Sequence, residues 1–202
     1  MMDNRFPVCI NTMKLTMPKL EVYYPSIGGI SDINVQKKMN NTILNLVYQM
    51  IEDQGYYKNT ETTITGYFEI KNNQRGILSL TLSNYAFSGG AHGMTIMKSL
   101  TFNVETGEEY SLSQLFKPGS NYVKVLSELI KVQIRERDIP VIEEFCAIKP
   151  NQDFYIADKI LVLYFQLYEL VPYAYGFPQF PISVYTIQDI INEDGPLGRM
   201  LY

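Results

Sequence analysis

From Ile77 to Tyr85, Leu78, Leu80 and Leu82 alternate with Ser79, Thr81 and Ser83. This period-2 pattern predicts a half-buried strand with one apolar and one wet face. The strand runs into Ser88, Gly89, Gly90, Ala91, His92 and Gly93, where three glycines predict a tight corner, and a second apolar run leaves from Met94. Upstream, TTITGYFEIK alternates Ile64, Phe68 and Ile70 with polar positions, and NNQRG predicts a hairpin turn into the strand at Ile77. ETGEE, residues 105–109, closes the run from Met94, so the middle of the chain reads as a meander of antiparallel strands.

The flanking segments switch period. Residues 6–24 predict two short strands parted at Pro18. Asp32 or Asn34 is then a suitable N-cap for a helix over 32–54, whose Met39, Ile43, Leu46, Val47, Met50 and Ile51 follow the 3.6 spacing and which Gly55 ends. In the second half, SLSQLF predicts a short helical turn. A second helix follows over 121–137, with Tyr122, Leu126, Leu129, Ile130 and Ile134 on its apolar stripe and Pro140 as its stop. Residues 153–168 read as a hairpin turning near 157–159, with Leu161, Leu163, Phe165 and Leu167 on one face. VPYAYGFPQF, residues 171–180, predicts an ordered loop with some rings exposed, before a last strand, PISVYTI, and a helix or turn from Gln188. The whole is expected to be α+β, two small lobes over 1–92 and 93–202, each a helix packed on antiparallel strands.

Composition narrows the function. Hydrophobic residues at 46% and charged ones at 19% suit an ordinary globular core. A net charge of −4 without any basic run argues against nucleic acid. No apolar run reaches the length of a membrane span, since Ile160–Leu170 is short and broken by Gln166 and Glu169. Sixteen Tyr and ten Phe with no Trp supply flat rings, many with a polar tip, which suit surfaces that meet sugars or proteins as well as strand interiors. Cys9 and Cys146 make no metal-like pair; one disulfide is conceivable, and free thiols in apolar surroundings are expected. MMDNRFPVCINTMKL has no signal-peptide pattern, so the expectation is a chain inside the cell unless its start has been trimmed.

The strings YAFSGGAHG, LTFNVETGEEYSLSQLFKPGSNYVKVL and NQDFYIADKILVLYFQLYELVPYAYGFPQFPIS resemble the extracytoplasmic RsiV-like module, found in anti-sigma factors and beside the catalytic domain of peptidoglycan deacetylases. VYYPSIGGISDINVQKKMNNTI resembles the smaller N-terminal half of the same module, so the likeness runs from about Leu20 to Thr186. It implies a module that senses a protein such as lysozyme, or a cell-wall glycan, outside the membrane. Neither a sigma-binding segment nor the metal-binding residues of a deacetylase are found, so those activities do not carry over.

Two groups are candidates for contact with a ligand. Ser88, Gly89, Gly90 and His92 form the glycine corner. His92 is the sole histidine and therefore a weak start for a metal site or general base; the plainer expectation is that it bonds the corner's backbone. Ser88 lacks the context of a nucleophile elbow. Glu169, Pro172, Tyr173, Tyr175 and Gly176 form the second group, where rings beside a carboxylate suit a sugar or a cationic partner and suit a structural loop equally. No catalytic residue, metal or cofactor is assigned. A binding module leads, and a hydrolase using His92 with a distant carboxylate, or an assembly protein pairing through strand edges, are the alternatives.

Overall fold

Residues 7–201 are described by the computed structural model, and they fall into two units that divide after Glu109. The readings made on residues 1–6 lie outside the described residues. The expected division between 92 and 93 separates two paired strands: β4 (Ile77–Phe87) and β5 (Met94–Asn103) are in register from Ile77↔Asn103 to Ala86↔Met94. The boundary therefore moves past the turn that follows β5.

The first unit is a five-stranded sheet in the order β1-β2-β3-β4-β5, with β1 Cys9–Met17, β2 Leu20–Gly28 and β3 Thr63–Gln74, and one helix, α1, Ile33–Asp53. Asp32 starts α1 by accepting the Asn34 amide on Oδ1 at 2.8 Å, and Gly55, at φ 79°, follows its end. Met39, Ile43, Val47, Met50 and Ile51 are fully buried and pack with Val22, Ile64, Leu80, Leu82 and Phe102. Five such side chains represent on the order of 10 kcal/mol of gross burial, against about 1 kcal/mol for the cap. Packing therefore holds the helix on the sheet, and the cap sets where it begins.

Two expectations change here. The sheet is mixed, because α1 carries the chain back so that β2 and β3 run parallel, paired from Leu20↔Ile64 to Val22↔Gly66, while every other pair is antiparallel. The polar face of β4 is also not wet: Ser79, Thr81 and Ser83 are as buried as their leucine neighbours, and Ser79 Oγ lies 2.8 Å from Thr101 Oγ1. The Arg75-Gly76 turn between β3 and β4 has positive φ at both residues, the tight hairpin predicted from NNQRG.

The second unit holds α2 (Tyr122–Glu136) and a three-stranded antiparallel sheet in the order β6-β7-β8: Phe154–Ala157, Ile160–Tyr164 and Gln179–Ser183. 3-10 turns at 112–115, 173–175 and 184–190 and a short terminal helix, α3 (Pro196–Leu201), complete it. α2 buries Leu126 and Ile130 and lies along β8, where Gln133 Nε2 donates to the Pro181 carbonyl and Arg137 Nη1 to that of Gln179. The expected hairpin is shorter than predicted. β7 ends at Tyr164, and because β8 pairs with its second edge it is central, so Val162 and Tyr164 are buried as well as Leu161 and Leu163. Residues 165–170 turn away instead, which leaves Leu167 only half-buried.

Candidate functional site

In the first unit the glycine corner connects β4 to β5, and residues 88–92 are all exposed. Gly89 and Gly90 have φ of 91° and 95°, the left-handed region where glycine is at ease. Gly93 is buried for another reason: its α-carbon sits against the Tyr85 ring and the Ala86 carbonyl, and a Cβ there would run into both. The corner is thus folded down beside a tyrosine. Ser88 Oγ is 2.9 Å from Thr62 Oγ1, tying the corner to the start of β3. His92 Nδ1 lies 2.9 Å from the Gly93 carbonyl oxygen, so the imidazole bonds the corner's own backbone.

Tyr85 belongs to a group the sequence reading did not single out. Strand alternation puts Val22, Ile64 and Leu82 on the helix side, and therefore Tyr23, Tyr67 and Tyr85 on the opposite side of the sheet. Tyr23 and Tyr67 directly follow the last paired residues of β2 and β3, and Tyr85 lies one strand further on, two residues from the Ser83 that pairs with Tyr67. All three rings are open to solvent, Tyr67 the most at 56% exposed. Lys14 braces the end of the row. Its Nζ is 5.3 Å from the Tyr23 ring centre and 2.8 Å from Glu21 Oε2, while the Tyr23 hydroxyl donates to Glu21 Oε1. The hydrogen bond that Lys14 donates to Glu21 is the main reason that the Lys14 pKa is raised and that the Glu21 pKa is lowered. The signal available in the sequence was the alternation itself, with Tyr23, Tyr67 and Tyr85 at odd positions of strands that place Val22, Ile64 and Leu82 at even ones.

In the second unit the proline-aromatic loop is shaped as expected. Pro172 and Tyr175 are exposed and Tyr173 is half-buried. Gly176 turns the chain at φ 82°, ψ −144°, a conformation nearly confined to glycine. Tyr173 packs on Tyr168, with ring centres 5.5 Å apart. Glu169 faces inward: Oε2 accepts the Gln166 amide at 2.8 Å and Oε1 meets Lys149 Nζ at 2.6 Å.

That ion pair bridges a cleft of about 410 Å³ between residues 142–149 and 165–170, which no sequence motif announced. Phe145 and Phe165 meet edge to face at 5.8 Å inside it, and the Ile142 amide donates to the Leu170 carbonyl at 2.9 Å, fixing the distance between the walls. Tyr168, at φ 64°, is held in a conformation unusual for a bulky residue and contributes its half-exposed ring to the lining. Cys146 also lines the cleft. Both cysteines are free, as expected, and both are exposed. Among the described residues no group of three or more His, Cys, Asp or Glu is placed to hold a metal ion, and no helix is long and apolar enough to cross a membrane.

The structure thus brings Ser88, Gly89, Gly90 and His92 together at one corner of the first unit, and Glu169, Pro172, Tyr173, Tyr175 and Gly176 together on one loop of the second. Comparison with known proteins covers both. Residues 13–95 match the family described as "Deacetylase PdaC", and residues 113–185 match "Protein of unknown function (DUF3298)". Together the two matches make the chain similar to an RsiV- and PdaC-like DUF3298 module. Over 188 residues it is 24% identical to the anti-sigma-V factor RsiV of Bacillus subtilis, covering 85% of this chain and 65% of that protein. Over 133 residues it is 25% identical to the peptidoglycan-N-acetylmuramic acid deacetylase PdaC of the same organism, covering 62% of this chain and 28% of that protein. The chain therefore spans less than two thirds of the length of either curated relative. Crystal structures of DUF3298 family members from Bacteroides fragilis and Pseudomonas aeruginosa share the fold. Their TM-scores are 0.74 and 0.71, at 12% and 15% identity, over 98% and 94% of this chain and 99% and 97% of theirs.

Proposed function

We propose that this module is a non-enzymatic sensor or binding unit of the cell envelope, working outside the membrane, whose ligand is a lysozyme-like protein or a cell-wall glycan. The reading is motivated by the likeness to an RsiV- and PdaC-like DUF3298 module together with one structural observation: the glycine corner and the proline-aromatic loop are both solvent-facing, braced from beneath by side-chain and ring contacts, and carry exposed rings or backbone. Braced, exposed surfaces lose little freedom on binding, which favours recognition. Rings such as Tyr67, Tyr85 and Tyr175 stack on sugars or pack on protein equally well. His92 and Ser88 are engaged with the corner itself, an arrangement that serves its shape.

Calorimetric titration of the purified chain with lysozyme and, separately, with soluble muropeptides tests the reading. Saturable binding of either is the expected result, and no heat with both would remove the proposal.

A further inference from the structure

The cleft of the second unit sets carboxylates beside aromatic rings. Its lining includes Glu143, Glu144 and Glu169 against the single ammonium of Lys149, and that ammonium is already neutralised by Glu169 at 2.6 Å. Glu143 and Glu144 are exposed, and neither carboxylate enters a hydrogen bond or ion pair with the described residues. Two unpaired carboxylates thus stand at a concavity whose rings are Phe145, Phe165 and Tyr168. Ring faces attract cations, and an arginine guanidinium, planar and weakly hydrated, can stack on a ring while donating to a carboxylate. The two walls are pinned by the Ile142–Leu170 backbone bond and the Phe145–Phe165 contact, so the space is preformed rather than opened by a ligand.

We propose that this cleft receives an arginine side chain projecting from a protein partner. Glu143 and Glu144 supply the countercharge, Tyr168 and Phe145 supply the rings, and the Lys149–Glu169 pair closes one side. The inference rests on the reading of the chain as a binding module and narrows its partner to a protein with an exposed arginine. Its charge complementarity is what separates a basic protein segment from a neutral sugar as the occupant.

An NMR titration of the full chain with the blocked tripeptide acetyl-Gly-Arg-Gly-amide, and with its neutral citrulline counterpart, tests it. The expected result is saturable shifts confined to residues 142–149 and 165–170. At least about fivefold weaker binding is expected for the citrulline peptide, and for the arginine peptide with a Glu143→Gln/Glu144→Gln double variant. Rising salt should weaken the arginine complex alone. No saturable shift, shifts elsewhere, equal binding of the citrulline peptide or an indifferent double variant would each overturn it. Lysozyme run in parallel separates the two proposals. Lysozyme binding that persists while the cleft stays silent removes the cleft and leaves the sensor. A cleft that takes the peptide, in a chain that binds neither lysozyme nor muropeptides, removes the sensor and leaves the cleft.

Discussion

Lys149 Nζ and Glu169 Oε1 lie 2.6 Å apart across the mouth of the second unit's cleft, joining segments twenty residues apart in the chain. The hydrogen bond to Glu169, and next its charge, raise the Lys149 pKa above the ordinary 10.5. A group whose pKa is raised on folding contributes stability that is fully present below the unfolded value and is lost as pH rises through the folded one. The contribution therefore fades only above pH 10.5, and it is small because the Lys149 side chain is mostly exposed. Glu169→Gln keeps an acceptor for the Gln166 amide but removes the charge. The Lys149 titration midpoint, followed by the Cε resonance, should fall back toward 10.5; a midpoint that does not move would show that the pair is not formed in solution.

Gly93 and Gly89 separate two reasons for glycine in one corner. A Cβ at Gly93 would strike the Tyr85 ring and the Ala86 carbonyl, whereas at Gly89 it meets open space and only the positive φ resists it. Gly93→Ala should therefore cost about 1–3 kcal/mol through overpacking, and Gly89→Ala about 1 kcal/mol through backbone strain. Urea unfolding of the two variants gives the comparison, and equal costs would mean that the corner does not rest on Tyr85.

Much of the fold was legible because periodicity reports local repeats. The capped α1 with its buried stripe, the Arg75-Gly76 turn and the α2 stripe all depend on residues a few positions apart. Periodicity does not say what lies on the far side of a strand. Ser79 and Thr81 look like a wet face, yet they are buried, and Ser79 meets Thr101 twenty-two residues away. The parallel β2–β3 pair and the cleft are invisible for the same reason, since each is made by segments that meet only when the chain has folded. Of the candidate residues, the corner and the loop were found from glycine and proline content. Tyr23, Tyr67 and Tyr85 were missed because tyrosine on a strand fits both a structural and a binding role, and only the folded sheet shows that these three are exposed.

If that tyrosine row meets the ligand, Tyr67→Ala should weaken binding of whichever of lysozyme or muropeptides is bound by about tenfold. Its ring is 56% exposed, so little stability should be lost with it. Unchanged affinity in a folded variant would confine recognition to the corner or to the second unit.

His92→Ala distinguishes a sensor from a hydrolase. The imidazole is exposed and its Nδ1 faces the Gly93 carbonyl at 2.9 Å, so its removal should change stability by no more than about 0.5 kcal/mol. A sensor whose corner touches its ligand would then show a larger dissociation constant, with no effect on any turnover because none is catalysed. A hydrolase relying on this histidine as general base would instead show binding largely intact and hydrolysis slowed by about a hundredfold or more. Measuring ligand affinity and release of reducing ends from peptidoglycan on the same preparation resolves the two. The histidine shares the exposed corner with Gly89 and Gly90, so a ligand laid along the corner would meet it, and the variant should act on affinity.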